Sequence, residues 1–164
     1  MKERSGFFEG VGVALVTPFR QGAVDRDALA ALAESLVGRG VRALYPCGCT
    51  GEATSLTREE RTTVIRTVVE VARGKAAVVA GTGTAVTDET IAYSREAIRL
   101  GADAVMVITP YSCRPTPEGI IAHYRAVADA IDKPIVLYNV PSRTGTNVMP
   151  DTVARLAEHP RIAA

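Results

Sequence analysis

Short apolar runs rich in β-branched residues recur along the chain, each followed by a polar loop and then an amphipathic stretch. They are Val11–Thr17, Val41–Pro46, Ala76–Ala80, Ala104–Thr109 and Ile135–Tyr138, and a sixth opens at Arg161–Ala164. Their starts lie about 30 residues apart, the length of one βαβ unit. The runs are almost continuously apolar, which predicts strands buried on both faces of a parallel sheet.

The stretches between them carry helix punctuation. Thr57-Arg58-Glu59-Glu60 has the form of a capping box ahead of Val64, Val68 and Val71. Thr116-Pro117-Glu118 supplies an N-cap, a proline for the first helical position and an early acid. Asp25 caps a predicted helix over Leu29, Leu32 and Leu36 that Gly38 and Gly40 end. Thr87 or Asp88 opens the next, closed by Gly101, and Met149-Pro150-Asp151 opens the last. His123 follows Ile120 and Ile121 and is expected on a helix surface.

Alternating βα units build either an open doubly wound sheet or a closed barrel. The open form usually carries a glycine-rich phosphate loop. Gly81-Thr82-Gly83-Thr84 is the nearest candidate, but Val86 stands where the third glycine belongs. The expected fold is therefore α/β, a (β/α)8 TIM barrel. A complete barrel needs about 250 residues. The 164 residues hold about five βα units plus the start of strand six, read as one partial barrel domain over 1–164 without a linker.

Composition narrows the chemistry. Apolar residues make up 47% and charged residues 23%, which is globular and not disordered. A net charge of +1 lacks the basic excess of a nucleic-acid binder. No stretch reaches the roughly 18 apolar residues of a membrane span, and the N-terminus lacks the apolar core of a secretory signal. Three cysteines, an odd count, fit reduced thiols and a cytoplasmic location. With two histidines, and C-x-C spacing at Cys47 and Cys49, no metal site is expected.

In barrels the loops after the strands carry the site. The second loop, Cys47-Gly48-Cys49-Thr50-Gly51-Glu52, reads either as an anion cradle of backbone N–H groups with the Thr50 hydroxyl, or as a tight βα turn. Tyr138 at a strand end is a proton carrier or a core aromatic. Arg143, in a loop held by proline and glycine, can clamp a carboxylate or simply face solvent.

GCTGE at 48–52, TPYSCRPTPEG at 109–119 and YNVPSRTG at 138–145 resemble the dihydrodipicolinate synthase/N-acetylneuraminate lyase family, in its order and spacing from about Gly10 onward. The resemblance implies a barrel that assembles as homotetramers. It implies a lyase that joins an active-site lysine to pyruvate or another 2-oxo acid as a Schiff base, without a cofactor, and uses the enamine with an aldehyde. By the same resemblance Tyr138 is the catalytic proton donor and acceptor. Gly48, Cys49 and Thr50 hold the pyruvate carboxylate, and Arg143 meets the carboxylate of the second substrate. Tyr111 and Ser112 are pocket or relay neighbours.

Three departures accompany the resemblance. The family's Schiff-base lysine falls just beyond Ala164, and Lys2, Lys75 and Lys133 are not placed to replace it. Cys49 stands for a hydroxyl, and Ser112 for the second tyrosine of a PYY motif. The chain alone is therefore expected to be inactive. Other readings are a keto-deoxy sugar acid aldolase or dehydratase, and a non-catalytic remnant that binds an oxo acid or assembles with partners.

Overall fold

The computed structural model describes residues 9–164. Five parallel strands form one sheet: β1 (Gly12–Ala14), β4 (Ala43–Tyr45), β5 (Ala77–Gly81), β6 (Ala104–Ile108) and β7 (Ile135–Tyr138). Their order in the sheet is their order in the chain, as barrel winding requires; a doubly wound sheet would reverse direction part-way. Between β1 and the first helix lies a small antiparallel hairpin, β2 (Phe19–Arg20) and β3 (Ala23–Val24), which the apolar pattern did not predict. Its two-residue turn places Gln21 at φ 53° and Gly22 at φ 82°, the left-handed pair that a tight hairpin favours.

The helices are α1 (Arg26–Gly38), α2 (Arg58–Ala72), α3 (Thr87–Leu100), α4 (Pro117–Ala130), the single turn α5 (Pro141–Thr144) and α6 (Pro150–Ala157). Their caps are local chemistry. The Thr57 N–H donates to Glu60 Oε2 at 2.8 Å, and the Glu60 N–H returns to Thr57 Oγ1 at 3.2 Å. Asp25 accepts from the Ala28 N–H at 3.0 Å and Thr116 from the Gly119 N–H at 3.2 Å. Neither Thr87 nor Asp88 caps α3; Val86 holds that position, and the Thr90 hydroxyl donates to its carbonyl at 3.0 Å.

Along the strands, alternate residues join the core beneath the helices: Leu44, Val78 and Ala80, Val105 and Val107, Ile135. They meet Leu29, Val64, Val68, Ala97 and Tyr124. The opposite parity, including Met106, Ile108 and Tyr138, faces a cavity inside the sheet's curve. Burial on both faces holds for the middle of the sheet and fails at its ends. Gly12 and Ala14 of β1 are exposed, as are Val11 and Val16 beside them, because no strand among the described residues lies against that edge. At the other end a sixth segment has begun to pair: Ile162 bridges Ile135 in parallel, and the Leu137 N–H donates to the Ala164 carbonyl at 2.6 Å.

His123 is not on the surface. It is 5% exposed, packed under α3 with its Nδ1 2.9 Å from Thr87 Oγ1, because it continues the apolar stripe of Ile120, Tyr124 and Val127. Among the described residues no helix is long and apolar enough to cross a membrane.

Candidate active site

The loops at the C-terminal ends of β4 to β7 enclose a cavity of about 200 Å³. Gly48, Cys49, Tyr111, Tyr138 and Arg143 all line it, although they come from three separate loops. Each loop is held by its own backbone chemistry. The second loop leaves β4 through Cys47 in the left-handed conformation (φ 57°). It then coils on itself: the Gly51 N–H donates to the Gly48 carbonyl at 3.1 Å and the Glu52 N–H to the Cys49 carbonyl at 3.1 Å. The Thr17 hydroxyl pins it from the first loop, donating to the Gly51 carbonyl at 2.8 Å. Gly81 lets β5 run against this loop, since a Cβ there would collide with the Cys47 carbonyl.

This coil sets what reaches the cavity. Cys49 turns inward, while Thr50 sits at the apex, exposed and off the cavity wall. The N–H groups of Gly48, Cys49 and Thr50 meet no acceptor among the described residues. Ser112 is likewise exposed and off the wall, in a loop where Ser112 (φ 69°) and Arg114 (φ 44°) are both left-handed. With Cys47 and Glu52 (φ 54°), four of the five left-handed non-glycine residues described belong to these two loops.

The segment after β7 folds into α5, which brings Arg143 to the cavity rim. The buried Thr144 hydroxyl donates to the Thr146 carbonyl at 2.8 Å, and Gly145 closes the turn at φ 72°. Asn139 braces the segment: its Oδ1 accepts from the Val148 N–H at 3.1 Å and its Nδ2 donates to Asn147 Oδ1 at 2.8 Å. Thr109 holds the end of β7, its N–H donating to the Tyr138 carbonyl at 3.2 Å.

Electrostatically, burial pushes the Tyr138 phenol above its ordinary value, and the neighbouring Cys49 thiol pushes it further; the Arg143 guanidinium pulls it back. Cys47 is a different kind of thiol. Burial raises it to about 12, against the opposing pull of Arg61, so it stays protonated and inert. All three cysteines are free thiols. Among the described residues no three His, Cys, Asp or Glu side chains gather as a metal site.

Gly81-Thr82-Gly83-Thr84 is not a phosphate loop. Its hydroxyls are spent inside the protein, Thr82 on Ser94 at 2.8 Å and Thr84 on the Val86 carbonyl at 3.0 Å. Lys75 and Lys133 precede β5 and β7, at the opposite ends of the strands. A larger, shallower depression of about 440 Å³ lies there, beside Arg42, Lys75 and Asp103. Lys2 falls outside the described residues.

Among the wall residues not foreseen, one carries a charge. Arg61 is buried in α2, and the signal was its place on the stripe Arg61, Val64, Ile65, Val68 and Ala72, where a charge is out of pattern.

A sequence model of the dihydrodipicolinate synthetase family matches residues 7–164. The chain belongs to that family. It is similar to the 4-hydroxy-tetrahydrodipicolinate synthase of Pelobacter propionicus, 50% identical over 157 residues, covering 96% of this chain and 54% of that protein. The synthase of an Anaeromyxobacter species is 53% identical over 150 residues, covering 92% and 51%. Among solved structures, the chloride-inhibited dihydrodipicolinate synthase of Acinetobacter baumannii, complexed with pyruvate, superposes with a TM-score of 0.91 at 44% identity, covering 93% of this chain and 53% of that one. Dihydrodipicolinate synthase of Cyanidioschyzon merolae with lysine bound gives 0.92 at 40% identity, covering 95% and 54%. These neighbours are TIM barrels, and the sheet described above is part of one. The chain spans about half the length of the curated relatives it matches.

Proposed function

We propose that the protein carrying this chain is a Schiff-base lyase of 4-hydroxy-tetrahydrodipicolinate synthase type, joining pyruvate to an aldehyde that bears a carboxylate. The observation that carries the reading is the convergence of Tyr138, Cys49 and Arg143 on one strand-end cavity. Tyr138 relays protons during imine formation and carbon–carbon bond making. The free N–H groups of the turn 48–50 hold the pyruvate carboxylate, with the Thr50 hydroxyl at its apex. Arg143 at the rim takes the carboxylate of the second substrate. Tyr111 shapes the wall, and Ser112 sits beyond it.

Among the described residues neither lysine supplies the attacking amine, since Lys75 and Lys133 lie at the wrong ends of the strands; the reading assigns it to a lysine beyond this segment. The reading includes a homo-oligomer, supported by a solved relative described as the first monomeric variant of its kind, and a cytoplasmic location, supported by three free thiols.

Borohydride trapping tests it. With pyruvate, the 164-residue chain should give no specific adduct on Lys2, Lys75 or Lys133. A chain extended to the length of its relatives should give one adduct, on a lysine outside this segment. Tyr138→Phe in the extended chain should slow trapping by about 10²-fold, the usual weight of a general acid–base group. An adduct on Lys75 or Lys133, or none in the extended chain, overturns the reading.

A further inference from the structure

Arg61 is a buried cation with no carboxylate partner among the described residues. It is 7% exposed and takes part in none of the ion pairs described. Its Nη2 donates to the Ala53 carbonyl at 2.5 Å and its Nη1 to the Gly81 carbonyl at 3.4 Å; its Nε–H has no acceptor. The guanidinium lies over the Tyr93 ring, 4.7 Å from the centroid. Two carbonyl dipoles and an aromatic face soften the burial of the charge but do not neutralise it.

The two carbonyls it grips are telling. Ala53 closes the coil that carries Cys49, and Gly81 ends the strand behind it. Arg61 therefore ties the second loop to the sheet from beneath. It also lines the same cavity as Cys49, Tyr138 and Arg143, and no Asp or Glu lines that cavity. The charge is already felt there, since it opposes the burial that holds Cys47 protonated. A buried positive charge beside a cavity whose wall bears no acid favours a ligand that brings its own negative charge.

We infer that Arg61 is a positioning and charge-selecting residue: it fixes the turn that bears Cys49 and gives the cavity a standing positive field that admits small carboxylates over neutral analogues. The inference rests on the proposed function only for naming the ligand as a 2-oxo acid. The field itself is a property of the cavity.

Cys49 provides the gauge, because it is a half-buried thiol on the cavity wall. Iodoacetate and iodoacetamide alkylate thiols alike but differ by one negative charge. Peptide-resolved mass spectrometry on the 164-residue chain, in its native assembly and again unfolded in urea, gives the ratio of the two rates at Cys49. The native ratio should exceed the unfolded one by on the order of tenfold, as a unit charge in a partly shielded site implies. Arg61→Gln should return the ratio toward the unfolded value, and Arg61→Lys should keep most of it. Loosened packing alone would speed both reagents together and leave their ratio unmoved.

A native wild-type ratio no greater than the unfolded one overturns the inference, and that comparison needs no variant to fold. So does an Arg61→Gln chain that keeps the wild-type ratio, or an Arg61→Lys chain that loses as much as Arg61→Gln. Pyruvate protection of Cys49 against the neutral iodoacetamide, measured in the chain extended to the length of its relatives, reads the proposed function separately: a raised ratio without protection keeps the field and rejects the ligand.

Discussion

Acidification from pH 6.5 toward 4 should destabilise the chain through one residue, His123. Its ring is buried edge-on to Tyr124, at 5.5 Å between centroids and 89° between planes. Its Nδ1 meets the Thr87 hydroxyl, and its Nε2 has no partner. Burial lowers its pKa from 6.5 to about 4. The unfolded chain takes up a proton on this imidazole as pH falls below 6.5, and the folded chain resists until about 4. More protons bind to the unfolded state in that window, so stability rises with pH there and is lost on acidification. At about 1.4 kcal/mol per pKa unit, the loss is about 3 kcal/mol across the window. Other shifted acids act lower. Asp25, held down chiefly by the Ala28 N–H, and Glu96, held down chiefly by the Thr62 hydroxyl, lie below ordinary values of 3.8 and 4.5. Their stabilisation is full above those values and is lost only beneath them. Urea titrations at one fixed chain concentration, stepped from pH 7 to 4.5, compare the wild type with His123→Gln; any association contribution common to both then cancels. The wild type should lose stability on acidification, and the variant should show a markedly flatter profile. A wild-type profile that is flat between pH 6.5 and 4.5, or an equally steep one in the variant, would refute the reasoning.

Thr57→Ala removes one half of the capping box on α2 and should cost about 1 kcal/mol in urea unfolding, with no loss if Glu60 alone suffices. Gly81→Ala drives a methyl into the Cys47 carbonyl and should cost about 2–3 kcal/mol, whereas Gly38→Ala, with nothing within 4 Å, should be neutral or slightly stabilising. A polypeptide of these residues alone should self-associate through the open β1 edge and exposed Val11 and Val16; a monomeric 17.3 kDa species in sedimentation that melts cooperatively would contradict this.

Much of the frame was legible because its signals are local. Asp25, Thr57 with Glu60, and Thr116 with Pro117 cap helices through bonds within three residues, so spacing along the chain sufficed. The central strands were legible because burial on both faces leaves an unbroken apolar run. The edges were not, since Val11 and Val16 read like core residues and only the absence of a neighbour exposes them. The hairpin escaped because two residues per strand are too few for alternation; Gln21-Gly22 was its one cue. His123 reads as a surface residue, although it lies three positions after Ile120 and four before Val127, the spacing of a buried face. At the cavity, loop position placed Gly48, Cys49, Tyr111, Tyr138 and Arg143 together. It could not separate Cys49 from Thr50, because which of two adjacent side chains turns inward depends on the left-handed Cys47 before them.

Those left-handed residues bear on how such a protein changes over time. At Cys47, Glu52, Ser112 and Arg114 the backbone is bent where only glycine is comfortable. Glycine would relieve on the order of 1 kcal/mol at each position, and the freedom it gives the unfolded chain would return a similar amount. The net effect on folding is close to zero. A population of variants sorted by melting temperature would let these four sites drift toward glycine unnoticed.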